Sequence, residues 1–390
     1  MYNDMMKHLS EVVLPFWKKL KDDENGGYIS YMSYDLQTDP MAERGCILNS
    51  RILWFFSQAV ISLKDKSLLE YADHAYRALL SMLDKEFGGV YWSMNADGTV
   101  FDSTKHTYNQ AFAVYALSTY YQASGNEEAL THARSLFKLI EEKLTDDVSY
   151  VDAMGRDFTP VDNGKLSENG VMAAKTMNTL LHLLEAYTEL YRVSGDGEVK
   201  QRLYFILGIL EKKIFNPAKR RQEVFFDREY NSIIDMHSYG HDIETAWLAD
   251  RTLEILDDEE LTARIRPILL VLADETYRVA FTEKGFYNEC VRGEVDKKRI
   301  WWVQAEALVG FLNAYEKTGE SRYLEAARSQ WRFIEEKMID RREGSEWFWQ
   351  LEDDGETPSA CKPIVEPWKC PYHNGRMFFE VIGRKAGKEL

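Results

Sequence analysis

The sequence is poor in most features that announce a particular chemistry. Its four cysteines (Cys46, Cys290, Cys361, Cys370) form no CxxC pair, which excludes a zinc ribbon, a redox dithiol and a disulfide framework. No Gly-rich loop precedes a helix and strands do not alternate with helices, so a doubly wound nucleotide-binding sheet is excluded. Proline is scarce at 9, and no Pro/Gly/Ser-rich linker divides the chain. No stretch approaches the ~18 apolar residues of a membrane span. The opening MYNDMMKHLSEVVLPFWKKL lacks the uninterrupted apolar core of a signal peptide. Positive charge is also in deficit: Lys+Arg is 48 against Asp+Glu 64, a net charge of −16. Such a surface repels phosphate backbones and anionic lipid, which argues against nucleic-acid and membrane partners. A soluble, cytoplasmic protein is expected.

Aromatic side chains are what the chain has in quantity. They reach 13%, with 10 Trp and 22 Tyr, many beside Gly or charged residues instead of within aliphatic runs. Rings with an apolar face and a polar edge suit sugar rings, whose C–H faces are apolar and whose hydroxyls lie at the rim. For any single ring, core packing remains the plainer reading.

Helical periodicity dominates the chain. Amphipathic spacing predicts helices over 50–63, 108–121, 175–191, 201–214, 243–255, 262–279, 303–315 and 323–338. Between them recur short alternating aromatic runs that end in turn residues: GGYISYMSYDLQT, GGVYWSMNADGTVFD, GFYNECVRGEVD and EWFWQLEDDGE. Each predicts a β-hairpin or long loop. The helix starts that follow resemble one another weakly: NSRILWF, YNQAFAVYAL, MNTLLHLLEAY, HDIETAWLAD, VQAEALVGFL and HNGRMFFEVI. Six such repeats, roughly 60 to 70 residues apart, predict an all-α fold, a closed toroid of paired helices or (α/α)6 barrel. Although 390 residues would suit two or three domains, the repeats make residues 1–390 one domain. The six helix starts and their loops then gather at one end, and the chemistry is expected there.

The polar residues at those starts are unusual for amphipathic helices: Arg51, Tyr108, Asn178, His182, His241, Glu244, Trp302, Glu306, Trp368 and His373. His8, His74 and His132 lie in charged helical segments and are expected at the surface. His106 precedes a helix and suits either a cap or the site. His182 lies on an otherwise apolar face, with Asn178 four residues earlier on the same side. His237, His241 and Glu244 in MHSYGHDIETAW admit a metal reading, but Gly240 before the second His and the absence of Glu after the first spoil the usual zinc pattern. A His241–Glu244 acid/base unit is the better fit.

Two reaction classes suit this set. Histidine suits reversible proton transfer at carbon beside a carbonyl, with Arg51 stabilising the enediolate oxygen. Glu244 and Glu306 could instead be the two carboxylates of a glycosidase. The excess of histidine favours the first, and a non-catalytic sugar-binding toroid is the third possibility.

Taken together, RILWFF, MNTLLHLLEAY, GHDIETAWL, WWVQAEAL and EPWKCPYHNGR resemble the N-acylglucosamine 2-epimerase superfamily, in its order and over essentially the whole chain. The WKCPYHNGR loop points to the branch acting on disaccharides. Neighbouring branches are N-acylglucosamine epimerases and aldose–ketose isomerases. The resemblance implies 2-epimerisation of the reducing-end sugar of β-1,4-linked disaccharides (cellobiose, lactose, mannobiose), without cofactor or metal. A monomer is expected. It implies His241 and His373 as the proton-transfer pair, with His182 and Asn178 in the polar wall and Arg51 near the reacting oxygens. Glu244 and Glu306 would orient histidines and hydroxyls. Tyr108, Trp302 and Trp368 would face the sugars, with Trp247 lining the same pocket.

Overall fold

A computed structural model describes residues 1–390. Its first helical stretch is α1 (Tyr2–His8), a π turn (Leu9–Val13) and α2 (Leu14–Lys19) in one line. Then follow α3 (Cys46–Leu63), α4 (Leu69–Ser81), α5 (Thr107–Ser124) and α6 (Glu127–Lys143). The next four are α7 (Met177–Ser194), α8 (Gly197–Ile209), α9 (Tyr239–Leu256) and α10 (Glu259–Val279). The chain closes with α11 (Trp301–Thr318), α12 (Ser321–Phe333) and α13 (His373–Gly383). Helices α3, α5, α7, α9, α11 and α13 pack in a ring, each on the next and α13 back on α3. Outside them lie α4, α6, α8, α10 and α12, each against the inner helix before it, while α1 and the π turn cover α13. The fold is an (α/α)6 barrel, as the six repeats predict.

The inner helices are buried on nearly every side, so they lack the polar stripe of an ordinary surface helix. One of them, Cys46–Leu63, is long and apolar enough by composition to cross a membrane, contrary to the sequence reading. Here that apolarity is spent on the barrel interior, and the helix carries Arg51 in its middle. The predicted helices omit α1–α2, α4 and α6, whose charged outer faces mask the buried stripe. They also start α3 and α9 about a turn late.

Loop lengths decide where chemistry can sit. After α5, α7 and α11 a single glycine in the left-handed region (Gly125, Gly195, Gly319) ends the helix, and the outer helix begins two residues on. The next residue caps that helix in two of these turns: Asn126 accepts from the Glu128 and Ala129 amides, and Asp196 from the Glu198 amide. At this end of the barrel nothing but tight turns is available. At the other end the chain takes long excursions, such as 144–176 and 334–372, before each inner helix begins.

Those excursions are tied down by a repeated buried ion pair. Arg44, Lys105, Lys175 and Lys369 each sit just before an inner helix. They pair with Asp22 (2.6 Å), Asp84 (3.0 Å), Asp146 (2.9 Å) and Glu346 (2.6 Å), which follow the preceding outer helices. Short antiparallel pairings add to this, for example Lys105–His106 with Ala153–Met154 and Arg299–Ile300 with Gln350–Leu351. GGVYWSMNADGTVFD forms a hairpin and GFYNECVRGEVD forms one that also pairs with Met236–Ser238. GGYISYMSYDLQT holds only isolated bridges, and EWFWQLEDDGE pairs with the earlier 299–300 segment. Gly89 shows why such a turn needs glycine: at φ +75° its added Cβ would lie 2.9 Å from Gln110 Oε1, which accepts the Val90 amide.

Lys369 and Glu346 are both fully buried, and Glu346 also accepts from Asn374 Nδ2 (2.6 Å) in the first turn of α13. Lys369→Met should strand the carboxylate and lower stability by about 3–5 kcal/mol in urea titration. A loss below about 1 kcal/mol, the level of an exposed pair, would show that this anchor is dispensable.

Candidate active site

The inner helices start at the long-loop end, so their positive N-terminal ends converge there. Side chains on the second and sixth residues of a helix share one face, and in this ring that face looks down the barrel axis. Tyr108 and Phe112 hold these places in α5, Asn178 and His182 in α7, Gly240 and Glu244 in α9, and Trp302 and Glu306 in α11. Arg51 is the sixth residue of α3, and His373 opens α13.

A cavity of about 420 Å³ lies over them, within the range of small-molecule sites. Nine of the eleven residues singled out from the sequence line it: Arg51, Tyr108, Asn178, His182, His241, Glu244, Trp302, Trp368 and His373. Glu306 and Trp247 do not. Both stand behind the wall, where Trp247 Nε1 donates to Glu306 Oε2 (2.9 Å). The expectation that Trp247 lines the pocket is therefore corrected: its ring is fully buried and holds Glu306 from behind.

Each histidine has one nitrogen engaged. Ser238, the N-cap residue of α9, makes no cap bond and pairs its Oγ with His241 Nδ1 (2.7 Å), so the expected His241–Glu244 unit is corrected: Glu244 bonds Arg376 instead. His373 Nδ1 meets Glu306 Oε1 at 2.8 Å, and His182 Nδ1 meets Glu185 Oε2 at 2.9 Å. Because the carboxylates accept, Nδ1 carries the proton in both pairs and Nε2 keeps its lone pair. Burial, with His182 nearby, pushes His241 down to about 3. Burial, then Arg376 and Arg51, hold His373 well below the usual histidine range. Both imidazoles are neutral at pH 7 and can accept a proton. The Trp302 ring lies against both, with centroids 4.8 Å from His241 and 5.4 Å from His373.

Arg51 is buried and has no carboxylate partner. It donates to Tyr108 Oη (2.9 Å) and to the Trp368 carbonyl (3.2 Å), and it lies between the Phe112 and Tyr372 rings. A buried guanidinium without a counter-ion favours any anion that forms in the cavity.

Behind the wall lies a cluster that the sequence reading misses. Arg376, fully buried, bonds Glu306 Oε1 at 2.7 Å and also reaches Glu185, Glu244 and Tyr372 Oη. The available signal is spacing: Arg376 follows His373 by three residues and Glu185 follows His182 by three, one helical turn each. At the cavity mouth the loops add Lys165, Glu168, Asn288, Glu289 and Trp349, none singled out in advance. Trp349 is held by Glu366 (3.0 Å) and covered by Lys362.

Other histidines are placed differently from the sequence reading. His74 is buried and its Nε2 bonds the Gly27 and Asp22 carbonyls; His8 is half-buried and accepts from Trp347 Nε1 (2.9 Å). Both lie in helices whose charged neighbours suggest exposure but whose own positions face inward. His106 packs on Trp92 and makes no cap bond. His237 bonds Asp242 (2.8 Å) outside the cavity, so the His237–His241–Glu244 metal reading fails on geometry. Glu244, Glu306 and His373 do bring ligand atoms within 4.8 Å of one another. The Arg376 guanidinium occupies both carboxylates, and a dication would face that charge at contact.

This arrangement can do acid/base chemistry at carbon: neutral imidazoles from two different helices, an unpaired cation for an oxyanion, and aromatic faces for a sugar. It belongs to a class of sugar-handling (α/α)6 barrels, and comparison with known proteins identifies which. Residues 26–373 match the N-acylglucosamine 2-epimerase family, and the chain belongs to that family. A cellobiose 2-epimerase of Eubacterium cellulosolvens is 48% identical, covering 98% of each chain. One from Ruminococcus albus is 48% identical over 98% of this chain and 99% of its own. The solved structure of the cellobiose 2-epimerase from Bacillus thermoamylovorans superposes with a TM-score of 0.94 at 42% identity, covering 98% of this chain and 99% of that one.

Gly240 is what lets Trp302 reach His241. A Cβ there would fall 2.5 Å from Trp302 Cη2 and 2.8 Å from Val303 Cγ2. Gly240→Ala should therefore destabilise the protein by about 1–3 kcal/mol through overpacking, despite a helix-propensity gain of about 1 kcal/mol. A neutral or stabilising alanine in urea titration would show that the ring moves aside freely.

Proposed function

We propose that the protein is a cellobiose 2-epimerase, inverting C2 of the reducing-end glucose of β-1,4-linked disaccharides, with cellobiose, lactose and mannobiose as substrates. The single observation that carries this reading is the pair of neutral imidazoles, half-buried His241 and buried His373, against one tryptophan in a cavity with an unpaired arginine. The likeness to named cellobiose 2-epimerases over nearly the whole chain supports the substrate class.

The sugar ring opens, and one imidazole takes the C2 proton. The resulting cis-enediolate places negative charge beside Arg51, which has no other counter-ion to release. That charge also raises the proton affinity of the imidazolium that forms, so a base kept neutral in the free site becomes competent in the transition state. The second imidazole returns a proton to the opposite face. Inversion needs two groups because a single base would return the proton to the face it came from. Return to C1 instead would give the ketose. The chemistry requires no metal, cytoplasmic placement suits the composition, and the protein acts as a monomer on this reading.

The glycosidase reading loses its basis at Glu306. That carboxylate is spent on His373, Trp247 and Arg376 and does not line the cavity. It lies beside Glu244 instead of across a scissile bond.

Turnover of cellobiose in deuterium oxide should give glucosyl-mannose carrying deuterium at C2. An epimer with wholly protium C2 would reject the two-histidine scheme, and free glucose as the main product would reject the epimerase assignment. His241→Ala and His373→Ala should each lose about 10²–10⁴-fold in kcat; a variant retaining a tenth of turnover removes that histidine from the mechanism.

Trp368, in the loop before α13, lines the cavity with its ring centroid 6.0 Å from those of Tyr108 and Trp92. Trp368→Ala should raise KM for cellobiose far more than for glucose or mannose. Equal losses on both would assign this ring to the reacting sugar or to the fold.

A further inference from the structure

Three buried carboxylates, Glu185, Glu244 and Glu306, surround one guanidinium, that of Arg376. Their oxygens are not equally supplied with donors. Glu306 Oε1 receives His373 Nδ1 and Arg376, and its Oε2 receives the Trp247 indole N–H. Glu185 Oε1 receives Arg376, and its Oε2 receives His182 Nδ1 and the Tyr372 hydroxyl. Indole and guanidinium nitrogens only donate, so Glu306 has no oxygen free to carry a proton toward them, and both Glu185 oxygens already accept, one from Arg376 and one from His182 and Tyr372. Glu244 differs. Its Oε1 meets Arg376, while its Oε2 is buried, has no partner in the protein, and belongs to a residue that lines the cavity.

We propose that Glu244 enters the reaction as a neutral carboxylic acid whose Oε2–H donates to an oxygen of the sugar, while Arg376 positions it and keeps Glu185 and Glu306 ionised. The proposal rests on the epimerase reading for its substrate, but the proton's position is a property of the free protein. Three carboxylates against Arg376 would bury two uncompensated charges, and a proton on the least-supplied oxygen removes one of them. No proton leaves Glu244 in the cycle. It serves, beside Arg51, as a hydrogen-bond donor to the open-chain sugar as enediolate charge grows, the role a neutral acid can fill and a carboxylate cannot.

The groups facing Glu244 are Tyr108 from α5, Glu185 and His182 from α7, Glu306 from α11, Tyr372, His373 and Arg376 at the start of α13, and His241 on its own helix. Burial, and then the charge of Glu306, push Glu244 up to about 7. Glu185 is held at about 2 in spite of burial, by Arg376 and the His182 and Tyr372 contacts. Burial pushes Glu306 up as well, opposed by Arg376 and the Trp247 indole. Glu244 is therefore neutral below pH 7, and the donor is lost as pH rises through that value.

The test is infrared difference spectroscopy of the substrate-free protein, paired with kinetics. Below pH 7 the wild type should show a protonated-carboxyl C=O stretch that bleaches on raising the pH and is missing from Glu244→Gln. Asp152 and Glu289 are also pushed up to about 7, so the comparison with Glu244→Gln makes the assignment. In turnover, wild-type kcat/KM for cellobiose should fall about tenfold per pH unit above the Glu244 pKa, and Glu244→Gln should flatten that slope. Glutamine keeps an oxygen for Arg376 and an N–H for the cavity, so its loss should stay below tenfold. Glu244→Ala, which keeps neither, should lose more than a hundredfold. Identical carboxyl bands in wild type and Glu244→Gln would overturn the proposal, as would an undiminished alkaline slope in the glutamine variant. Wild-type protein that shows the band but forms no epimer would instead overturn the epimerase reading and leave the proton's position standing.

Discussion

The burial of Arg376 among Glu185, Glu244 and Glu306 is the constraint on which the rest of the site depends. It joins four of the six inner helices: α7, α9 and α11 each contribute a carboxylate, and α13 contributes the arginine. Removing Arg376 would leave its carboxylates in the barrel interior without a counter-ion, a cost of several kcal/mol. The same contacts orient the chemistry, because Glu306 holds His373 and Glu185 holds His182. Geometry at the reacting carbon thus follows from an ion cluster that does not touch it.

The rest of the architecture delivers these side chains to one place. Tight turns built on left-handed residues fill one end of the barrel, so the long connections and all six inner N-termini meet at the other. Buried cations ahead of four inner helices fasten those connections to the acids that follow the outer helices. An acidic protein of net charge −16 keeps an unpaired arginine inside this end. Lys165 and Lys298 also line the cavity but pair with Asp102 and Asp296, so the one lining cation without a carboxylate partner is Arg51, where an oxyanion would form.

Several of the histidines show where sequence reasoning stops. His182, His241 and His373 stand out because they interrupt helix starts, and all three line the cavity. His74 and His8 share the charged surroundings of surface histidines yet bond inside the protein, because a single position on an outer helix can face inward between exposed neighbours. Arg376 and Glu185 escape notice for the opposite reason. An Arg and a Glu in helices are ordinary by composition, and only the packing of α13 against its neighbours brings them together.

What the sequence alone determined is six weakly similar helix starts with unusual polar residues, and hence the (α/α)6 ring and nine of the cavity-lining side chains. These are local regularities, written in spacing, and spacing survives without coordinates. Which residues stand one layer back was decided only by the tertiary structure. Trp247 and Glu306 lie on the same helices as lining residues, yet they bond each other behind the wall and do not line the cavity. The same holds for the distribution of donors among three carboxylates. It depends on contacts between residues as far apart in the chain as Glu185 and Arg376, and no local pattern carries that information.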